Sequence, residues 1–234
     1  MGSYIRYIFL FVPFDRSCTK RHILSEISRI FDPLGFVLPC LLLAKRLLQR
    51  LWELKVPWDE ILFDEITEIW TFKTELPNLA DIKIARYLGS EDISRIELHR
   101  FCNASQLGYA SVVYFRIEET TGNIKTFLVG AKCKVASLKT QSIARLELLA
   151  AVLLANLINF IQKSYDGLIM FDAVYAWSDS MITLAWLSLS PSRWKTFIAN
   201  RVSHRQETVP STSWHHMVSS QNTTDYASRG QSLL

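Results

Sequence analysis

The period of the hydrophobic residues changes once along this chain, and that change limits the folds open to it. Between Thr19 and Asn78 apolar residues recur every three or four positions, whereas beyond Tyr87-Leu88-Gly89-Ser90-Glu91-Asp92 they alternate. Helical side chains advance by about 3.6 residues per turn and strand side chains alternate between two faces, so one element cannot serve both patterns. The polar, glycine-containing stretch between them is the expected boundary. Three parts are expected: residues 1–18 as the truncated end of a preceding region, 19–88 as a small, mostly helical region, and 93–234 as an α/β domain.

In the helical part, Asp32-Pro33-Leu34-Gly35 reads as a turn, with proline where a fixed φ helps and glycine closing it. Leu41, Lys45, Leu48 and Trp52, flanked by Leu47 and Leu51, then give one broad apolar face. A second helix is expected from about Asp59, carrying Leu62, Ile66, Ile69, Trp70 and Lys73, with Asp59 and Glu60 where the helix dipole favours them and Pro77 as its stop.

Beyond the boundary, Ile96–Asn103, Tyr109–Phe115 and Lys125–Val135 read as three successive antiparallel strands. Leu146, Leu149, Leu153 and Leu157 mark a helix from Ser142 to about Gln162. Ala173–Trp177 is a short apolar run suited to a sheet centre. Helices over Ser180–Leu189 and Ser192–Glu207, a strand over Ser213–Val218 and a closing helix complete the order β-β-β-α-β-α-α-β-α.

With 234 residues, 49% of them hydrophobic, the chain can bury a real core and is not disordered throughout. A net charge of +4 suits a nucleic-acid partner without requiring one. Cys18, Cys40, Cys102 and Cys133 form no paired motif, so the expectation is buried free thiols in a reducing interior. The apolar start, Tyr4 to Val12, runs into Pro13-Phe14-Asp15-Arg16 with no small-residue cleavage site. The run from Leu34 to Ala44 falls short of the ~20 residues of a membrane span. A soluble intracellular protein, cytoplasmic or nuclear, is the expectation.

The informative polar residues sit at element ends: Asn103 closing the first strand, Glu147 inside the long helix, Asp179 just after the fourth strand, and Asp225 near the C-terminus. Carboxylates carried on separate elements of one sheet can converge on Mg²⁺, which takes hard oxygen ligands and activates water for phosphodiester hydrolysis.

Several segments, in order, resemble one family. Thr19 to Gly35 resembles the segment that follows the reverse transcriptase palm in Bel/Pao-type LTR retrotransposon polyproteins. Phe101-Cys102-Asn103-Ala104-Ser105 is similar to that family's Phe-Cys-Asp-Ala-Ser, Ser142-Ile143-Ala144-Arg145-Leu146-Glu147-Leu148 to its Ser-Ile-Pro-Arg-Leu-Glu-Leu, and Trp177-Ser178-Asp179-Ser180 to its Trp-Ser-Asp-Ser. Ser190 to Phe197 and Asp225 to Gly230 resemble its last two signatures.

The resemblance implies a ribonuclease-H-like mixed sheet with flanking helices, preceded by a thumb- or connection-like region. It implies that Asn103, Glu147, Asp179 and Asp225 occupy the catalytic positions, with Glu147, Asp179 and Asp225 as ligands of two Mg²⁺ ions. The implied substrate is an RNA–DNA hybrid, and the implied partner is the reverse transcriptase core of the parent polyprotein. Asn103 departs from the pattern, because an amide offers a neutral oxygen where the family has a carboxylate. Glu97, on the same strand face, lies six residues away, about 20 Å at ~3.3 Å per residue, too far to substitute. Catalysis is therefore expected to be impaired. The chain has no Asp-Thr-Gly or Asp-Ser-Gly, no Tyr-x-Asp-Asp and no histidine–cysteine zinc pattern, so it encodes no protease, polymerase or integrase site.

Arg193, Lys195, Arg201 and Arg205 are the candidate nucleic-acid contacts, Arg201 and Arg205 lying one helical turn apart. Trp194, Phe197 and Ile198 among them suit a core as well as a base platform. His215 and His216 point to opposite faces of a strand, so at most one of them can bind a metal. Three readings stay open: a metal-dependent ribonuclease H, a non-catalytic nucleic-acid-binding or interaction domain, and a non-functional relic.

Overall fold

A computed structural model describes residues 4–6, 18–63, 66, 70, 83–85, 92–209 and 213–231. The alternating stretch forms three long strands, β3 (Ile93–Ala104), β4 (Gly108–Glu119) and β5 (Ile124–Val135). They follow β1 (Tyr4–Arg6) and β2 (Lys83–Ala85), an antiparallel pair of their own. β6 (Ala173–Ser178) and β7 (Trp214–His216) complete a five-stranded sheet of order β5-β4-β3-β6-β7. β3, β4 and β5 are mutually antiparallel, while β6 lies parallel to β3 and β7 parallel to β6. The sheet is the mixed one that the sequence led us to expect.

α3 (Ile143–Tyr165) covers one face. Ala151, Leu154, Ile158 and Ile161 recur along one side of it and meet Leu98, Val113, Phe115 and Ile117 of the sheet. α3 is long and apolar enough to cross a membrane, yet its apolar side is spent on this core. α4 (Met181–Ser188) and α5 (Thr196–Thr208) add Leu187 and Val202 to the same cluster. The single helix expected over Ser192–Glu207 is divided: Pro191–Arg193 is a 3₁₀ turn, and α5 begins only at Thr196.

α1 (Lys20–Ser28) opens on Thr19, whose hydroxyl accepts from the His22 amide at 3.2 Å. α2 (Leu38–Glu53) lies on the other face of the sheet. Val37, Leu38, Leu41 and Leu42 pack against Ala110, Val112, Ala131 and Cys133, and against Ala227 of α6 (Asp225–Arg229). The expected turn fastens α2 there. Asp32 Oδ1 accepts from the amides of Gly35 and Phe36 at 3.0 and 2.9 Å, Oδ2 from Val37 at 2.9 Å, and Leu34 O from the Ala131 amide at 2.8 Å. Gly35 has φ +84°, and a Cβ there would stand 2.5 Å from Ala131 O.

The second expected helix starts later than its acidic residues suggest. Asp59 and Glu60 lie in a turn, where Asp59 is held by the fork of Arg21 at 2.7 and 2.9 Å. Ile66 and Trp70 are helical; Ile69 and Lys73 lie outside the described residues, as does the boundary stretch Tyr87 to Glu91. All four cysteines are buried thiols outside any disulfide.

Candidate active site

Asn103 is the penultimate residue of β3, in register with Ala110 of β4, and is 3% exposed. Its Nδ2 donates to Asp225 Oδ1 at 2.9 Å, and its Oδ1 accepts from the Ala104 amide at 2.7 Å. Glu147 lies on the buried side of α3, one helical turn before Ala151, so the helical period that builds the core also drives this carboxylate inward. Its Oε1 accepts from the same Ala104 amide at 2.9 Å. Burial, reinforced by the charges of Asp179 and then Asp225, raises the Glu147 carboxyl to about 8, opposed by the Ala104 hydrogen bond.

Asp179 follows β6, and its Oδ2 accepts from Ser219 Oγ at 2.6 Å. Asp225 opens α6, where its Oδ1 accepts a second hydrogen bond, from Arg229 Nε at 2.7 Å. Ser105 Oγ donates to Ser228 O at 2.6 Å and Asn222 Nδ2 to Cys102 O at 3.0 Å, tying α6 and the segment before it to the end of β3. The four positions named from the sequence are thus brought together where β3 and its neighbour β6 end.

Two carboxylate oxygens there, Glu147 Oε2 and Asp179 Oδ1, are buried and have no hydrogen-bond partner. Among the described residues no group of three or more His, Cys, Asp or Glu side chains is placed to hold a metal ion. The orphaned pair has spare acceptor capacity for one hard cation, whereas Asp225 Oδ1 is already occupied by two donors. Cys102 lies between this cluster and the core; burial, then the Glu147 charge, keeps its thiol protonated.

The basic residues divide. Arg193 and Lys195 are exposed. Arg201 is half-buried, its guanidinium 3.6 Å from the Phe197 ring centroid and its Nη1 donating to Phe197 O at 2.8 Å. Arg205 corrects the sequence reading. It is fully buried, donates to Val209 O and, at 3.4 Å, to Leu187 O, and presents no face to a phosphate. Its position near the end of α5 lets the side chain reach carbonyls that no helical amide satisfies. His215 and His216 are exposed, and the His215 ring lies tilted against those of Tyr175 and Trp177, with centroids 5.7 and 5.2 Å away. Arg229 and Ser219 were not singled out from the sequence. Arg229, four residues after Asp225 on one helix, was readable as an ion pair. Ser219 carries no local signal.

Strand order, the helix across one face and the polar cluster define a ribonuclease-H-like α/β protein. Residues 19–180 match the family model of the Pao retrotransposon-like RNaseH-like domain, and the chain belongs to that family. Asp225 lies beyond the matched residues.

No curated protein matches the chain. Among solved structures it is similar to RNase H1 of Halobacterium salinarum NRC-1, at 12% identity and a TM-score of 0.32, over 55% of this chain and 89% of that one. It is likewise similar to LC11-RNase H1, solved in complex with an RNA/DNA hybrid, at 15% identity and a TM-score of 0.33, over 55% and 89%. The prototype foamy virus protease-reverse transcriptase matches at 19% identity and a TM-score of 0.33, over 85% of this chain and 24% of that one.

Proposed function

We propose that this retrotransposon ribonuclease-H-like domain binds RNA–DNA hybrids and that its hydrolysis of the RNA strand is impaired by Asn103. The observation that carries the reading is the hydrogen bond from Asn103 Nδ2 to Asp225 Oδ1. An aspartate at position 103 would face Asp225 with like charge, a repulsion that a bound cation or a shared proton relieves. Here the amide joins the two residues directly, so that half of the site is closed without metal.

Glu147 and Asp179 retain free oxygens and would hold Mg²⁺. When bound, Mg²⁺ supplies activation of water and stabilisation of charge on the phosphodiester. Arg229 holds Asp225, Ser219 holds Asp179, and the Ala104 amide orients Glu147. Arg193, Lys195 and Arg201 are the cations that would meet the phosphate backbone. The reverse transcriptase core of a parent polyprotein is the second partner of this reading, and α1 and α2 belong to the region that would meet it.

A labelled-hybrid assay with Mg²⁺ tests the proposal. Binding with little or no cleavage is expected from the natural chain, measurable cleavage from Asn103→Asp, and its loss when Asp179→Asn is added. Brisk cleavage by the natural chain that Asp179→Asn abolishes would overturn the role given to Asn103; absence of hybrid binding would overturn the whole reading.

A further inference from the structure

We propose that the core holds a small monovalent inorganic anion, of chloride size, beside Arg100, Arg205 and Trp214. The site lies on the α3 side of the sheet and is independent of the carboxylate cluster.

Arg100 stands on β3 between Leu98 and Cys102, with exposures of 2%, 0% and 0%. In register beside it come Ala176 on β6 and then Trp214 on β7, so the three form one row across the sheet. Ala176, with only a methyl group, leaves the arginine free to extend along that row, and Arg100 Nε donates to Tyr175 O at 3.0 Å. Arg205 descends from α5 onto the end of the same row, its guanidinium 5.0 Å from the Trp214 ring centroid.

Three buried donors of this group have no acceptor: Arg100 Nη2, Arg205 Nε and Trp214 Nε1. Among the described residues neither arginine is paired with a carboxylate; the partners they do have are the carbonyls of Tyr175, Val209 and Leu187. Arginine does not shed its proton in proteins, and an uncompensated charge in an apolar interior is among the costliest placements a fold can contain. Burial lowers both guanidinium groups only to about 10, which leaves two cations at neutral pH. Cys102, an acidic group close enough to influence Arg205, does not balance them, because its thiol is held protonated.

Missing acceptors and excess positive charge have one common remedy, an anion that accepts several N–H groups and donates none. Leu187, Val202 and Val209 belong to the same core, and such apolar surroundings exclude a multiply charged or hydrated ion. A cleft of about 280 Å³, lined by Met181, Leu184, Ala185, Leu187 and Ser188, has Trp214 of the group in its wall.

Thermal unfolding of the full chain, titrated with chloride against gluconate at constant ionic strength, tests the proposal. The midpoint should rise by about 3 °C or more once chloride reaches tenfold its dissociation constant. Bromide soaked into crystals of the natural protein should give an anomalous peak within hydrogen-bond distance of Arg100 Nη2 or Arg205 Nε. Arg100→Met, which keeps length and removes charge, should abolish the chloride dependence; if that variant does not fold, the bromide peak decides. A midpoint indifferent to chloride, an equal chloride response in Arg100→Met, or crystals without the peak would overturn it.

Discussion

Asn103 and Asp225, 122 residues apart in the chain, are joined by a 2.9 Å hydrogen bond in which the amide donates and the carboxylate accepts. Asp225 Oδ1 receives Arg229 Nε as well, so one oxygen of the carboxylate takes both donors. Replacing Asn103 by aspartate exchanges a donor for a second anion at a buried position. Without metal, Asn103→Asp should lower stability by about 1–3 kcal/mol. Millimolar Mg²⁺ should restore it, while the unfolding midpoint of the natural chain responds to Mg²⁺ much less. Calorimetry on both proteins with and without Mg²⁺ checks this; an equal Mg²⁺ response in the two proteins would count against it.

The Glu147 carboxyl sets a dependence on pH. Its folded-state value of about 8 lies above its ordinary value of 4.5, so the folded protein binds the proton more tightly than the unfolded chain does. The stabilisation is complete below pH 4.5 and is lost as the pH rises through about 8. The loss attributable to this group is at most about 5 kcal/mol. Glu147→Gln should flatten that decline and raise the unfolding midpoint at pH 8. Urea titrations from pH 5 to pH 8.5 on both proteins decide it, and parallel profiles would sink the assignment.

Exposed and buried cations should behave oppositely. Alanine at both Arg193 and Lys195 should leave folding intact and reduce the salt dependence of hybrid binding by up to about two phosphate contacts. Arg205→Ala should do the reverse, costing stability because it strips Val209 O of its side-chain donor and leaves Leu187 O to Gln206 Nε2 alone. Fluorescence anisotropy across a salt series, beside thermal melts, separates the two. A changed salt slope in a well-folded Arg205→Ala protein would contradict its burial.

Gly35 brings the turn before α2 into close approach with the sheet. Gly35→Ala meets the main chain of Ala131 at 2.5 Å and demands a positive φ of a residue with a side chain. A loss of about 2 kcal/mol or more is expected. Limited proteolysis should then cut near residues 32–37 before it cuts the sheet. An unaltered cleavage order would show that this contact is not fixed.

Much of this was legible from local pattern. Alternation placed β3 to β5, and the three- and four-residue spacing of leucines placed α3; both carry their periodicity within one element. Asn103, Glu147, Asp179 and Asp225 were picked out through short motifs, which lie at the end of β3, inside α3, just after β6 and at the start of α6. Arg205 was misread because a turn of helix separates it from Arg201, which suggests a shared face, while its burial depends on the end of α4, distant in sequence. Asp59 was misread for a similar reason: dipole rules favour an acid at a helix start, but Arg21 on α1 takes this one into a turn. The packing of α2 on the sheet had no signal within α2 itself, since an apolar helix face does not name its partner.

That packing carries a consequence for how the molecule opens. α2 and α6 touch, with Leu43 and Pro39 lying against Gly230, just past the helix that carries Asp225. Backbone amides of α2, β4 and β5 are therefore expected to exchange with solvent as one cooperative unit, and unlatching α2 would release the strand end that sets Asn103 together with the helix that sets Asp225. A chain cut down to residues 93–234 would keep every candidate ligand and lose the buttress that keeps them in register.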